Sequence, residues 1–132
     1  MASHTIVNLK EVEDQAPKFG HAPDLEARFA SSALGLESSG VSYQRFAPNF
    51  RGPFGHRHER QEELYVVVRG GGRLKLDDEV IELTTWDAIR VPPEVIRCFE
   101  GGADGLEILA FGAPRTPEAS ADAEMIPNWW TD

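Results

Sequence analysis

His56-Arg57-His58-Glu59-Arg60-Gln61-Glu62-Glu63-Leu64-Tyr65-Val66-Val67-Val68-Arg69-Gly70 is the stretch whose reading decides the fold. Side chains on a strand repeat every two residues, so His56 and His58 point to one face. Glu63 opens the next strand after a four-residue gap. The two strands are then hairpin neighbours, and two imidazoles and a carboxylate converge on one point. That donor set suits a divalent first-row metal and leaves coordination positions open. Paired histidines on a surface strand are more often simply solvated. Here, however, the pair follows the Gly52, Pro53 and Gly55 loop, and Glu63 leads straight into an apolar strand.

Working outward, the chain reads as short apolar runs broken by turn residues. Upstream, Ile6 to Leu9 reads as a short strand and Lys10 to Gln15 as one polar helical turn before Pro17. Glu26 to Ala30 and Val41 to Ala47 read as strands, with Ser31 to Leu36 as a helical turn or loop between them. Downstream, Gly70-Gly71-Gly72 reads as a turn. Leu74 and Leu76 alternate with Arg73 and Lys75 as a half-buried strand, and Asp77-Asp78 marks a hairpin back through Val80 to Leu83. Asp87 to Val91 is a strand stopped by Pro92-Pro93. Val95, Arg97 and Phe99 share one face of the next, opposite Ile96, Cys98 and Glu100. Gly101-Gly102 reads as a turn before a final strand, Leu106 to Phe111.

About eight or nine strands at roughly ten-residue spacing, with no long helical pattern between them, mean an all-β sandwich or barrel. The domain reads as residues 25–112, preceded by an N-terminal extension over 1–24, a short strand or arm. A C-terminal tail over 113–132 follows: a linker and then a docking pair, Trp129-Trp130, which covers the domain's own flank or acts as a lid or a swapped element. The run Tyr65 to Val68 is apolar on both faces and needs cover on both. A second subunit would supply the outer layer, so a homodimer is expected.

Composition narrows the partners. The chain has 132 residues, enough for one core, with 12 Gly and 9 Pro for tight turns. It carries 13 basic against 22 acidic residues, a net charge of −9, which repels phosphate backbones and anionic lipid heads. Neither nucleic acid nor membrane is the expected partner. The single cysteine, Cys98, forms no internal disulfide and excludes a thiolate metal site. With no secretory signal and no apolar run of membrane-spanning length, a cytoplasmic location is expected. His4 and His21, in the N-terminal segment, read as exposed. Cys98 reads as a small packed hydrophobe.

The sequence resembles the cupin family. The first cupin motif is a glycine, His-x-His, three or four residues, Glu, six residues and Gly. His56, His58, Glu63 and Gly70 match it; Phe50 stands at the leading glycine. The second motif is retained through Asp87 and Pro92. Trp86 and Glu94 replace its glycines, Gly101 its asparagine and Arg97 its histidine. The resemblance spans about Val41 to Phe111. It implies a jelly-roll β-barrel of two antiparallel sheets, with His56, His58 and Glu63 as ligands to Fe, Mn, Ni or Zn.

Arg97 stands where the family places its fourth ligand. A guanidinium has no acceptor and keeps its charge, so it cannot coordinate. Pointing inward, it would repel a divalent ion by on the order of several kcal/mol at low effective dielectric. Three arrangements follow: it swings out to pair with Glu63 or Glu94, it sits beside the metal and clamps an anionic substrate, or it pairs with Glu63 in place of the metal. Tyr65 shares the face of Glu63 and is expected to line the pocket with Arg97. The resemblance implies a metal-dependent oxygenase, isomerase or lyase acting on a small anionic molecule. The alternative is a metal-free module that binds a carboxylate or sugar acid.

Overall fold

The computed structural model describes residues 3–112 and 122–132. Among these, the strands are β1 (Leu25–Phe29), β2 (Gly40–Phe46), β3 (Phe54–His58), β4 (Glu63–Leu76), β5 (Glu79–Leu83), β6 (Ala88–Val91), β7 (Arg97–Gly112) and β8 (Ala123–Pro127). The single short helix is α1 (Ser31–Leu34), closed by Gly35 at φ 69. Every strand pairing is antiparallel. β7 is the spine. It pairs with β2 through Leu106 to Gly112, with β3 at Arg97, and with β4 along almost its whole length. β5 and β6 pair with successive halves of β4. The two sheets of the jelly roll are thereby joined, because β4 and β7 run through both and the ladder curls on itself as one eight-stranded sheet.

The two glycine clusters are not turns. Gly70 to Gly72 lie inside β4, Gly101 and Gly102 lie inside β7, and Gly72 faces Gly101 across the ladder. The register shifts on either side of Gly70, as β-bulges do where a strand bends. Gly70 has φ 71, and a Cβ on Gly72 would lie 2.0 Å from the Glu100 carbonyl oxygen. Glycine is needed here for close backbone approach at a bend. The Asp77-Asp78 hairpin forms as expected, with Leu76 opposite Glu79 and Asp77 at φ 50.

The inner face is apolar. Tyr65, Val67, Leu74, Phe99, Leu106 and Ile108 form its centre, with Tyr65 edge-on to Phe99 at 4.9 Å. Cys98 is buried on the opposite face of β7, beside Gly52, and burial pushes its thiol up to about 11.

Both chain ends wrap onto this frame. No strand forms over Ile6 to Leu9; Asn8 instead caps a 3-10 turn over Leu9–Glu11 by accepting from the Lys10 N–H at 2.9 Å. Asp14 accepts from the Ala27 N–H at 2.9 Å, which ties this segment to the free edge of β1. At the other end, β8 adds itself to β3, and the linker expected before it falls mostly outside the described residues. Trp130 is buried, with Arg51 stacked 4.3 Å from its ring. Lys75 lies over Trp129 at 4.7 Å. The Trp pair therefore covers the barrel's own flank, where Glu100 accepts from Arg51 and Arg73. No helix among the described residues is long and apolar enough to cross a membrane.

Candidate metal centre

Alternation along β3 turns Phe54, His56 and His58 to the interior and Arg57 to solvent, where it pairs with Glu124. β3 and β4 are not the hairpin neighbours expected: β3 pairs with β7 and β8, β4 pairs with β6 and β7 at this end, and the curl of the sheet brings Glu63 to the two imidazoles. Glu62 points outward to Arg90, as its place in the strand requires.

Four groups converge on one oxygen. Glu63 Oε1 lies 3.1 Å from His56 Nε2, 3.2 Å from His58 Nε2 and 3.5 Å from Arg97 Nη1, and it accepts a short hydrogen bond from the Tyr65 hydroxyl. Burial opposes the Glu63 charge, but the hydrogen bond with His56, the His58 ring close by and the Tyr65 hydroxyl outweigh it and hold the carboxyl well below the usual carboxylate range. Burial and the neighbouring Glu63 charge push the Tyr65 phenol well up, so it remains a donor.

Ligand atoms of His56, His58 and Glu63 all lie within 4.8 Å of one another. An ion about 2.0–2.2 Å from each donor, at angles between octahedral and tetrahedral, gives donor separations of about 2.8–3.6 Å. The observed 3.1 and 3.2 Å separations meet that range. His58 Nε2 and Nδ1 are both buried without a hydrogen bond of good geometry. An orphaned buried ring nitrogen facing two other donors is what a bound cation completes. These three side chains fit a divalent metal.

Arg97 does not swing outward. It is fully buried, its Nη2 donates to the Pro92 carbonyl at 2.7 Å, and Glu94 is exposed. The retained Pro92 thus fixes the arginine that replaces the family histidine. Arg97 Nε and Nη1 have no hydrogen-bond partner. Arg97 and Tyr65 are not among the side chains lining the barrel mouth; both are sealed behind Glu63. Whatever they do for a ligand passes through that carboxylate.

Asp122 is the residue that the sequence reading missed. It is buried, with Oδ2 3.4 Å from His58 Nδ1. It also accepts from the Arg60 and Gln61 N–H groups, which fixes the loop between β3 and β4. Burial opposes its charge, while these N–H groups and His58 favour it and keep its carboxyl low. No local pattern marks Asp122, because only the β8–β3 pairing brings it to His58.

The mouth opens on this cluster as a cavity of about 920 Å³, with His58 and Glu63 at its base. Leu25, Ala27, Phe29, Val41, Phe54 and Met125 supply most of its apolar wall. His21 is not simply exposed: it stands at the mouth, tilted against Phe54 at 6.2 Å.

A small antiparallel jelly-roll barrel with a His-x-His and a glutamate beneath its mouth defines a class of single-barrel proteins that often bind a metal ion there. The chain belongs to the cupin family, since the cupin domain model matches residues 42–109. An uncharacterized protein of Methanocaldococcus jannaschii is 33% identical over 72 residues, covering 54% of this chain and 56% of that protein. The chain thus spans little more than half the length of that relative. Among solved structures, a cupin protein from Bacteroides fragilis superposes with TM-score 0.70 at 21% identity, covering 89% of each chain. The polyketide cyclase RemF from Streptomyces resistomycificus gives 0.73 at 19% identity, over 100% of this chain and 89% of that one. A sugar phosphate isomerase of the cupin superfamily from Silicibacter pomeroyi gives 0.68 at 17%, over 93% and 92%. At these identities the likeness concerns the fold.

Proposed function

We propose that this cupin holds one divalent transition metal, Fe, Mn, Ni or Zn, on His56, His58 and Glu63, and acts there on a small molecule with an anionic oxygen group. The observation that carries this reading is the set of three donors within 4.8 Å of one another, with Glu63 Oε1 3.1 and 3.2 Å from the two imidazoles and Nε2 of His58 buried without a hydrogen bond. A bound metal would supply Lewis-acid polarisation of a substrate oxygen, the chemistry of isomerases, lyases and oxygenases. The chain's own residues do the rest. Asp122, with Oδ2 3.4 Å from His58 Nδ1, places a carboxylate behind the imidazole and leaves Nε2 toward the metal position. Tyr65 and Arg97 keep Glu63 ionised and in place. The apolar wall sheds water from the base of the cavity. The cyclase and isomerase among the structural neighbours support a small-molecule transformation. The test is metal analysis of protein purified without a histidine tag, then reconstitution. Stoichiometric metal is expected, and less than roughly a tenth of an equivalent after reconstitution rules the reading out.

One observation favours a second reading. Arg97 already stands 3.5 Å from Glu63 and offsets its charge without a metal. A metal-free module binding a carboxylate or sugar acid then needs no catalysis. Thermal shifts separate the two: stabilisation by metal alone supports the first, and stabilisation by small acids in excess chelator supports the second.

A homodimer and a cytoplasmic setting complete the proposal. Leu64 and Phe111 face each other across β4 and β7 on the outer face, 41% and 37% exposed. That unpaired apolar pair supports a second copy as its cover, and a monomer at micromolar concentration in sedimentation would sink the dimer. The one cysteine, buried and free, suits a reducing compartment.

A further inference from the structure

We infer that the cavity selects an amphipathic ligand: one oxyanionic head at the His56, His58 and Glu63 cluster, and an apolar body, an aromatic ring or branched chain, against the wall. This rests on the site reading above and narrows it away from sugar acids.

The wall carries the argument. Leu25, Ala27, Phe29, Val41, Phe54 and Met125 come from four strands, β1, β2, β3 and β8, and all face one space above the donors. Away from the donors its polar side chains are few, and apart from His21 at the rim each already has a partner. Ser31 Oγ accepts from the Val41 N–H at 3.0 Å, and Ser42 Oγ accepts from Gln44 Nε2 at 3.3 Å. Gln15 Nε2 donates to Glu13 at 3.0 Å, and Gln61 too has a partner. A polyhydroxylated body would bury most of its hydroxyls against hydrocarbon with few partners to satisfy them. A hydrocarbon body would lose only water.

The rim agrees. Phe19, Phe29 and Met125 are 69%, 44% and 51% exposed, and all three stand at this one mouth. Large apolar side chains held in water around a concave opening mark a ligand site. The cavity's volume of about 920 Å³ lies in the range of small-molecule pockets, roughly 300–1,000 Å³. The polar end is confined to the base. The head must therefore be compact, and the rest of the ligand must point outward along the apolar wall.

The experiment compares two carboxylates, 2-naphthoate and glucuronate, by isothermal titration against protein loaded with Mn²⁺ or Zn²⁺. The naphthoate is expected to bind at least about tenfold more tightly, because only it replaces water along the wall. Phe29→Ser changes a half-exposed rim position and is expected to weaken naphthoate by about threefold or more while leaving glucuronate unchanged. Equal or tighter binding of glucuronate overturns the inference, as does naphthoate affinity indifferent to Phe29→Ser. Titration of the metal alone reports the site reading separately. No metal uptake sinks that reading, and the same pair of carboxylates in excess chelator then still accepts or rejects the apolar wall.

Discussion

Replacing Arg97 by methionine, Glu63 by glutamine, and both together should expose a strong coupling at the base of the barrel. Arg97 has no exposed surface, and its charge is met by one carbonyl, Pro92 at 2.7 Å, and one carboxylate, Glu63 at 3.5 Å. At an effective dielectric of about 20, two unit charges at that separation attract by about 5 kcal/mol before desolvation is counted. Glu63→Gln leaves the guanidinium buried without its counter-ion and should cost about 3–5 kcal/mol. Arg97→Met is milder. Glu63 keeps His56, His58 and Tyr65, and two guanidinium nitrogens with no hydrogen bond are removed. The lost charged hydrogen bond to Pro92 sets the cost at about 1.5–3 kcal/mol. The double variant should be about 2–3 kcal/mol more stable than the sum of the single losses implies. Urea unfolding followed by tryptophan fluorescence measures all four corners of the cycle. Additivity within about 0.5 kcal/mol would refute the pairing, as would a larger loss for Arg97→Met than for Glu63→Gln.

Asp122→Asn should weaken metal binding by about 10–100-fold, since the ring nitrogen opposite the metal loses its carboxylate acceptor; a chelator competition measures it. Cys98 should resist Ellman's reagent at pH 8 and react fully once unfolded. With its thiol at about 11, the thiolate fraction at pH 8 is roughly two hundred times smaller than for a free thiol near 8.5. Trp86 holds φ 76 at a position where the family has glycine, and its side chain is mostly exposed. Trp86→Gly should therefore raise stability by about 1 kcal/mol in denaturant unfolding, the strain of a left-handed non-glycine residue. Glu100 is held low because Arg51 and Arg73 outweigh its burial. Its stabilisation is present above the unfolded value near 4.3 and is lost as pH falls below it. Glu100→Gln should therefore flatten the acid limb of stability against pH.

Much of the site was legible because its spacing is local. His56, His58 and Glu63 span eight residues, and period-two alternation puts the two imidazoles on one face; Glu63 reaches them because the sheet curls, since β3 pairs with β7 and β8 and not with β4. The strand pattern around them fixed the all-β class for the same reason: alternation and turn residues act over a few positions. The glycines misled because glycine serves two ends. It makes turns, but it also permits close backbone approach, and only the facing of Gly72 and Gly101 tells which.

What the sequence alone determined is therefore the barrel class and which three residues offer donors, both legible in short-range spacing. The tertiary structure decided what lies around them. It sealed Arg97 behind Glu63 against Pro92, because burial depends on which strand covers which. It brought Asp122 to His58 through a strand pairing that no nearby residue encodes. And it built one apolar mouth from segments far apart in the chain, since a cavity's character is a sum over side chains that meet only when the sheet curls.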